Sequence, residues 1–401
     1  MGQAIDRNLR LLTCSKFAAQ LGTSAAFAGL VLALTDSGAS PTSLGLVLTA
    51  TVVVDAVATP FAGIAGDRLD RRRVMVVSDV IAAALYTALC FSHGTFSIAV
   101  LAVAATAAES FFFPASSAAV ANLFRHSDLA VVSSRLSRAT SLGSLLGPVT
   151  AGIVASILSP RFAFGVNAMT FLLSASVTMA LRGQFQADGG DSETRQRETV
   201  ATWDIVGVFR AYPAVSHFMT MWGCIQLGTG GLWVVIPTLA ARLGDSDRVY
   251  TAWLTAGAVG TVLGATIVGR LAGRGRRGAT LLVALGAQAA VLALMAVQMQ
   301  LIWVGFLFAV FRGAQAVMGA YSYAIFQSGV PDHVRARASS WVDFVTLGAF
   351  AIGMAAAGPI VQLTGARTSL GLTTALVLVG FFAAWRLMRQ RIRQHASKQA
   401  A

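Results

Sequence analysis

Apolar residues along this chain come in long runs, separated by short polar stretches. The runs 42–64, 98–120 and 280–299 carry at most one charge each. Each is long enough to cross about 30 Å of hydrocarbon, which takes about 20 residues. A helix satisfies its own backbone hydrogen bonds in lipid. A barrel would instead alternate apolar and polar residues in segments of about ten. The pattern therefore predicts an all-α membrane protein with twelve transmembrane helices. They lie near 11–34, 43–64, 74–92, 96–120, 139–158, 162–181, 214–237, 250–271, 279–299, 301–323, 340–362 and 369–388. Glycine and proline interrupt many of these runs, as membrane helices tolerate.

Composition agrees with this pattern. Of 401 residues, 12% are charged, against about 25% in a soluble domain. That is too few to cover a water-facing surface. The formal net charge is +13, which in a soluble protein would suggest nucleic acid as a partner. Here the basic residues cluster in alternate loops. With both termini inside, the cytoplasmic segments hold 25 of the 30 lysines and arginines. The outer loops hold Arg161, Arg242, Arg248 and Arg367, and Arg312 falls within a span. Membrane orientation explains such a bias, so both termini are expected to be cytoplasmic and no nucleic-acid partner is expected. The N-terminal span is long enough that it is expected to remain in place as a span rather than be removed as a cleavable signal. Arginine outnumbers lysine 28 to 2, a bias suggesting a GC-rich bacterial genome and a place in the bacterial inner membrane. Cys14, Cys90 and Cys224 are widely spaced in apolar segments. They read as small buried hydrophobes rather than metal ligands or a disulfide framework.

The longest polar stretch splits the chain. It predicts an N-terminal six-helix bundle over 1–182, a cytoplasmic linker over 183–212, and a C-terminal six-helix bundle with a basic tail over 213–401. Two landmarks recur between the halves. Gly63-Ile64-Ala65-Gly66-Asp67-Arg68-Leu69-Asp70-Arg71-Arg72 follows span 2, and a similar glycine- and arginine-rich loop from Gly269 follows span 8, about 206 positions later. Gly147-Pro148 in span 5 returns as Gly358-Pro359 in span 11, about 211 positions later. Two landmarks at nearly one offset argue for duplication. Parallel six-span repeats are the plan of major facilitator transporters.

The loop from Gly63 to Arg72 resembles the signature of that superfamily between helices 2 and 3. In such a motif Gly63 and Gly66 allow a close helix approach. Asp67 can sit at the positive end of a helix of the other half. Arg68, Arg71 and Arg72 can pair with carboxylates or helix C-termini, forming a cytoplasmic gate. Asp70 departs from the motif, which usually has glycine there. The segment with Gly143, Gly147, Pro148 and Gly152 resembles the antiporter motif of the superfamily. Its glycines flatten a helix face, and its proline allows a bend. Phe111-Phe112-Phe113-Pro114-Ala115, Ser78-Asp79 and the stretch 161–171 with Asn167 resemble the drug and siderophore exporter branch, which includes macrolide and enterobactin exporters. Ala82 and Ser116 stand where that branch often carries arginine.

Ionisable residues within spans are costly and are functional candidates. Asp55 lies about nine residues from the inner end of span 2, or about 14 Å at 1.5 Å per residue. Glu109 and Arg312 lie near the middle of spans 4 and 10. The family resemblance implies that helices 1, 4, 7 and 10 line the cavity, which would place Glu109 and Arg312 at the substrate site. A carboxylate withheld from water can exchange a proton near neutral pH. Glu109 is therefore the first proton-coupling candidate and Asp55 the second. Arg312 either holds an acidic substrate group or pairs with a carboxylate, with Gln315 at the spacing of a family motif. Gln20, Gln226, Trp222 and Trp233 complete the candidate cavity for bulky amphipathic compounds. Asp79 and Asp343, near cytoplasmic span ends, are expected to partner loop arginines.

The chain carries no glycine-rich loop ending in Lys-Ser or Lys-Thr, no His-Glu-x-x-His pair and no Gly-x-Ser-x-Gly elbow. It is therefore read as a transporter rather than an enzyme, with no metal or cofactor and with the proton gradient as energy source. The expected function is export of a small organic molecule (drug, antibiotic or siderophore-like) by alternating access and proton antiport, by a monomer in the lipid bilayer. The alternatives are an importer or facilitator of a nutrient or siderophore, and a non-transporting receptor with the same fold.

Overall fold

The computed structural model describes residues 2–124, 129–183, 185, 213–243, 246–271, 277–297, 300–329 and 332–400. The expected linker lies outside the described residues except for Gly183 and Phe185, as does the second-half loop from Ala272 to Arg276. The described residues form thirteen helices: α1 (Gly2–Asp36), α2 (Pro41–Arg68), α3 (Arg71–Phe91), α4 (Thr95–Glu109), α5 (Phe112–Leu123), α6 (Leu129–Ile157), α7 (Phe162–Ala180), α8 (Pro213–Leu243), α9 (Ser246–Leu271), α10 (Arg277–Val297), α11 (Leu301–Gly329), α12 (Asp332–Thr364) and α13 (Ala366–Ala400).

All twelve expected spans lie in these helices, and the fourth is divided between α4 and α5. Among the described residues, eleven segments are long and apolar enough to cross a membrane. The fifth expected span is the later part of α6, which also carries Arg135 and Arg138 on its earlier turns. Many large apolar side chains point outward, such as Phe96 at 83% exposure and Ile302 at 81%. Surfaces this apolar suit lipid rather than water. Cys14, expected to be buried, is exposed, while Cys90 and Cys224 are half-buried.

The described residues fall into two compact units, one within 1–39, 47–193 and 245–251, the other within 40–46, 194–244 and 252–401. In the first, α1 packs on α6 and α7, and α3 packs on α7 and α4. In the second, α8 packs on α12 and α13, and α10 packs on α13 and α11. The second pattern repeats the first, with α8, α10, α11, α12 and α13 in the places of α1, α3, α4, α6 and α7. This is the internal duplication that the paired landmarks predict.

Glycines set a close backbone crossing in the first unit. A Cβ on Gly143 would stand 2.6 Å from the Phe17 carbonyl oxygen, and one on Gly147 would stand 2.9 Å from the Leu21 carbonyl oxygen. Gly143 and Gly147 of the motif expected in span 5 thus form the surface on which α6 meets the backbone of α1, while Gly152 faces Thr251. The same device recurs in the second unit, where Gly230 of α8 faces the Phe350 carbonyl of α12 and Gly353 faces that of Leu227.

Candidate functional site

The break in the fourth span has a local cause. Pro114 has no N–H, and its ring clashes with the carbonyl four residues earlier in a continuous helix. That residue is Ser110, where α4 ends and a turn leads into α5. The turn leaves Glu109 at the end of α4 and frees the Ser110 side chain for its neighbours. Ser110 Oγ lies 2.6 Å from Asp55 Oδ1 and 2.8 Å from the Thr106 carbonyl oxygen. Asp55 is exposed and Glu109 half-buried.

Both carboxylates open on one cavity of about 190 Å³ within the first unit. Thr51 and Asp55 of α2, Tyr86 of α3, Thr106 and Glu109 of α4, Thr23 and Phe27 of α1, and Phe164 of α7 form much of its wall. Glu109 Oε1 is buried without a hydrogen-bond partner. The Tyr86 hydroxyl faces both the Glu109 carboxyl and the Asn167 amide. Drug-sized ligands occupy about 300–1,000 Å³, so this cavity suits protons, water or one small group of a substrate.

The chemistry of Ser110 matters here. A hydroxyl has one proton to donate and lone pairs to accept. When Asp55 is charged, Ser110 can donate to it. When Asp55 carries a proton, it can donate to Ser110, which then donates to the Thr106 carbonyl. The same three groups therefore serve both protonation states without moving.

In the second unit, Arg312 of α11 donates from Nη1 to Gln315 Oε1 at 2.7 Å, and Gln315 Nε2 lies 3.5 Å from Thr229 Oγ1 on α8. The arginine stem lies over Gly257 of α9, where a Cβ would come within 3.1 Å of its Cγ. Among the described residues no carboxylate lies within ion-pair distance of Arg312. Trp222 packs against Phe218, ring centroids 6.4 Å apart. Gln226 and Trp233 are half-buried on the same helix. Gln20 does not reach the Glu109 cavity. It donates to Ser24 Oγ at 3.2 Å along α1 and packs beside Gly143.

The loop from Gly63 to Arg72 is held by carbonyls. Arg71, buried at 6% exposure, donates to the carbonyl oxygens of Gly66 at 3.2 Å and Phe185 at 3.3 Å. Arg72 donates to the Met179 carbonyl near the end of α7 and lies over the Phe185 ring. Gly66 and Met179 stand near the ends of α2 and α7, and all of these contacts lie within the first unit. Arg68 is exposed, and the Asp67 side chain lies outside the described residues. A Cβ on Gly63 would meet nothing within 4 Å, and one on Gly66 would make ordinary contact with Ala115. Asp70, the departure from the motif, caps α3 by accepting from the Arg73 N–H at 2.8 Å.

One expectation is corrected. Asp79 does not meet a loop arginine. It is buried at 1% exposure on α3, facing Ser174 of α7 and within the field of Lys16 of α1. Arg71 and Arg72 instead spend donors on carbonyls, and Asp343 is exposed. Tyr86, Ser110 and Lys16 are the site residues that sequence reasoning missed. The offset of Ser110 from Pro114, and the position of Lys16 inside the first apolar run, were the available signals.

Comparison with known proteins agrees with this architecture. The family model described as Major Facilitator Superfamily matches residues 12–229 and again 219–401. The chain is 27% identical over 366 residues to the multidrug efflux pump Tap of Mycolicibacterium fortuitum, covering 85% of this chain and 86% of that protein. It is 30% identical over 129 residues to the putative bacilysin exporter BacE of Bacillus subtilis (strain 168), covering 31% of this chain and 32% of that one. The solved nucleoside transporter NupG aligns with TM-score 0.74 at 13% identity, over 95% of this chain and 99% of that one. A bacterial homologue of the iron transporter ferroportin, in an inward-facing state, aligns with TM-score 0.74 at 14% identity, over 95% and 98%. Those structural likenesses establish the fold. With the family model matched across nearly its whole length, the chain is a multi-pass membrane transporter and belongs to the Major Facilitator Superfamily.

Proposed function

We propose that this transporter exports a small organic molecule by alternating access, in exchange for protons entering the cell. The observation that carries the reading is the placement of Asp55 and Glu109 on one cavity, with Ser110 bonded to Asp55. An antiporter needs a carboxylate that is stable both with and without a proton, and the Ser110 arrangement supports both. Glu109 is the first proton-exchange carboxylate and Asp55 the second, with Ser110 serving Asp55 in either state. Arg312, Gln315, Trp222, Gln226 and Trp233 of the second unit supply polar and aromatic groups for the substrate, with Arg312 available to an acidic group. The efflux function of Tap and the exporter name of BacE favour a drug or antibiotic as cargo.

The six-helix bundles 1–182 and 213–401 alternate, joined by the linker 183–212, in a monomer. The Gly63–Arg72 loop gates the cytoplasmic side of a bacterial inner membrane, with both termini cytoplasmic. A resistance screen tests direction and cargo together. An efflux-deficient bacterium expressing the chain should survive raised doses of at least one antibiotic or dye and accumulate less of it. Raised accumulation of the compounds that enter would overturn export in favour of uptake.

A further inference from the structure

A second set of buried polar groups runs from the Glu109 cavity toward the Gly63–Arg72 loop, along the seam between α3 and α7. On α3, Asp79 and Tyr86 are seven residues apart and share a face. The offset is about 10 Å at 1.5 Å per residue. On α7, Asn167, Thr170 and Ser174 follow at spacings of three and four and share the facing stripe; all three are buried. Tyr86 faces Asn167 at the cavity end, and Ser174 faces Asp79 at the loop end.

The seam is not closed by its own hydrogen bonds. Of the nine buried polar atoms without a partner among the described residues, five belong to it and to its cavity end: both Asp79 oxygens, Ser174 Oγ, Asn167 Nδ2 and Glu109 Oε1. Native interiors leave few such atoms, and water fills polar gaps that offer it partners. A carboxylate at 1% exposure with neither oxygen bonded is the costliest of them. The titratable groups facing Asp79 are Lys16 from α1 and, at longer range, Glu109 from α4. The seam residues of α7, Asn167, Thr170 and Ser174, do not titrate. Lys16 also rests on the Phe112 ring of α5, 5.0 Å from its centroid.

We propose that Asp79 is a further proton-exchange carboxylate beside Lys16, and that the α3–α7 seam relays protons between it and Glu109. The inference rests on the proton-exchange reading of the cavity. In the relay, a proton leaves the Glu109 carboxyl for a water in the seam, and that water gives one of its own protons to the next hydroxyl or water. The last hop protonates the Asp79 carboxylate. One O–H bond breaks and one forms at each hop, and no electrons are transferred. Lys16 holds Asp79 charged until the proton arrives, and then keeps its own charge over the Phe112 ring.

The test uses the full-length chain in membrane vesicles with the Gly63–Arg72 loop facing the bath. The pH of the bath is jumped, and the carboxyl C=O infrared bands are followed in time, with protons as the only ligand. Glu109→Gln assigns the Glu109 band by removing it, and Asp79→Asn removes a second band. In Asp79→Asn, protonation of Glu109 should slow by about a hundredfold, the low end of what a positioned acid–base group contributes. Asp79→Glu should restore most of the rate, and Ser174→Ala should slow it less than Asp79→Asn. Protonation of Glu109 at the wild-type rate in Asp79→Asn and in Ser174→Ala would overturn the relay while leaving proton exchange at Glu109 intact. If Glu109→Gln removes no titrating band, Glu109 takes no part in proton exchange and the relay falls with it.

Discussion

Replacing Gly147 with alanine tests whether the crossing of α1 and α6 is built on backbone contact. The new Cβ would stand 2.3 Å from Ser24 Cβ, 2.9 Å from the Ala25 nitrogen and 2.9 Å from the Leu21 carbonyl oxygen, where ordinary contact begins at 3.4 Å. The shortfall is about 1.1 Å at Ser24 Cβ and about 0.5 Å at the main-chain atoms, by subtraction of those distances. None of these three atoms moves with a rotamer change, so α1 must move off α6 locally. Overpacking of this kind costs about 1–3 kcal/mol. For a unit of this size that corresponds to a melting temperature lower by about 2–12 °C. The assay is thermal unfolding of the purified protein, with Gly63→Ala as control. A Cβ at Gly63 meets nothing within 4 Å, and alanine favours the helix by about 0.5–1 kcal/mol. Gly63→Ala should therefore melt at or slightly above the wild type. Equal melting temperatures for Gly147→Ala and the wild type would refute the close-packing argument.

Gly63→Ala also probes the gate. If the glycine serves a helix approach during the transport cycle, transport should fall severalfold while stability holds, and full transport activity would remove Gly63 from the gate. Asp70→Ala removes the cap of α3 and should cost about 1 kcal/mol, read as a lower unfolding midpoint. Asp70→Asn, which keeps the accepting oxygen, should lose much less. Ser110→Ala removes the hydroxyl shared by Asp55 and Thr106 and should cut the initial transport rate by about five- to tenfold, the factor that one net hydrogen bond represents. A wild-type rate would show that Ser110 takes no part in proton exchange.

Much of the fold could be read from hydropathy, because a span must be apolar over its whole length. Hydropathy did not reveal the start of α1 at Gly2, since Asp6, Arg7 and Arg10 hide a helical run from a sum of apolarity. The side chains that share a site were harder to read. Asp55 and Glu109 could each be placed at mid-membrane by counting residues, but their meeting on one cavity depends on how α2 and α4 are rotated about their axes. Lipid-facing and buried faces here are both apolar, so the sequence pattern leaves that rotation open. The same ambiguity misplaced Asp79, which was counted as near the loop when its face turns inward to Ser174 and Lys16. Gln20 lies on α1, whose Thr23 and Phe27 line the Glu109 cavity, yet its own face points to α6. The break at Ser110 went unread in a span expected to be continuous over 96–120, although Pro114, four residues on, was its signal.

Coupled exchange of protons for substrate at the Asp55–Glu109 cavity is best tested with proteoliposomes and the compound selected by the resistance screen. With the chain reconstituted in sealed vesicles, a pH gradient is imposed, acidic on one side, and substrate movement is measured without any other energy source. The account predicts that substrate moves uphill toward the acidic side and that the gradient collapses as it moves. Both effects should be lost in Glu109→Gln and in Asp55→Asn, while downhill exchange of substrate persists. Uphill movement that survives in both variants, or transport that ignores the gradient in the wild type, would contradict it.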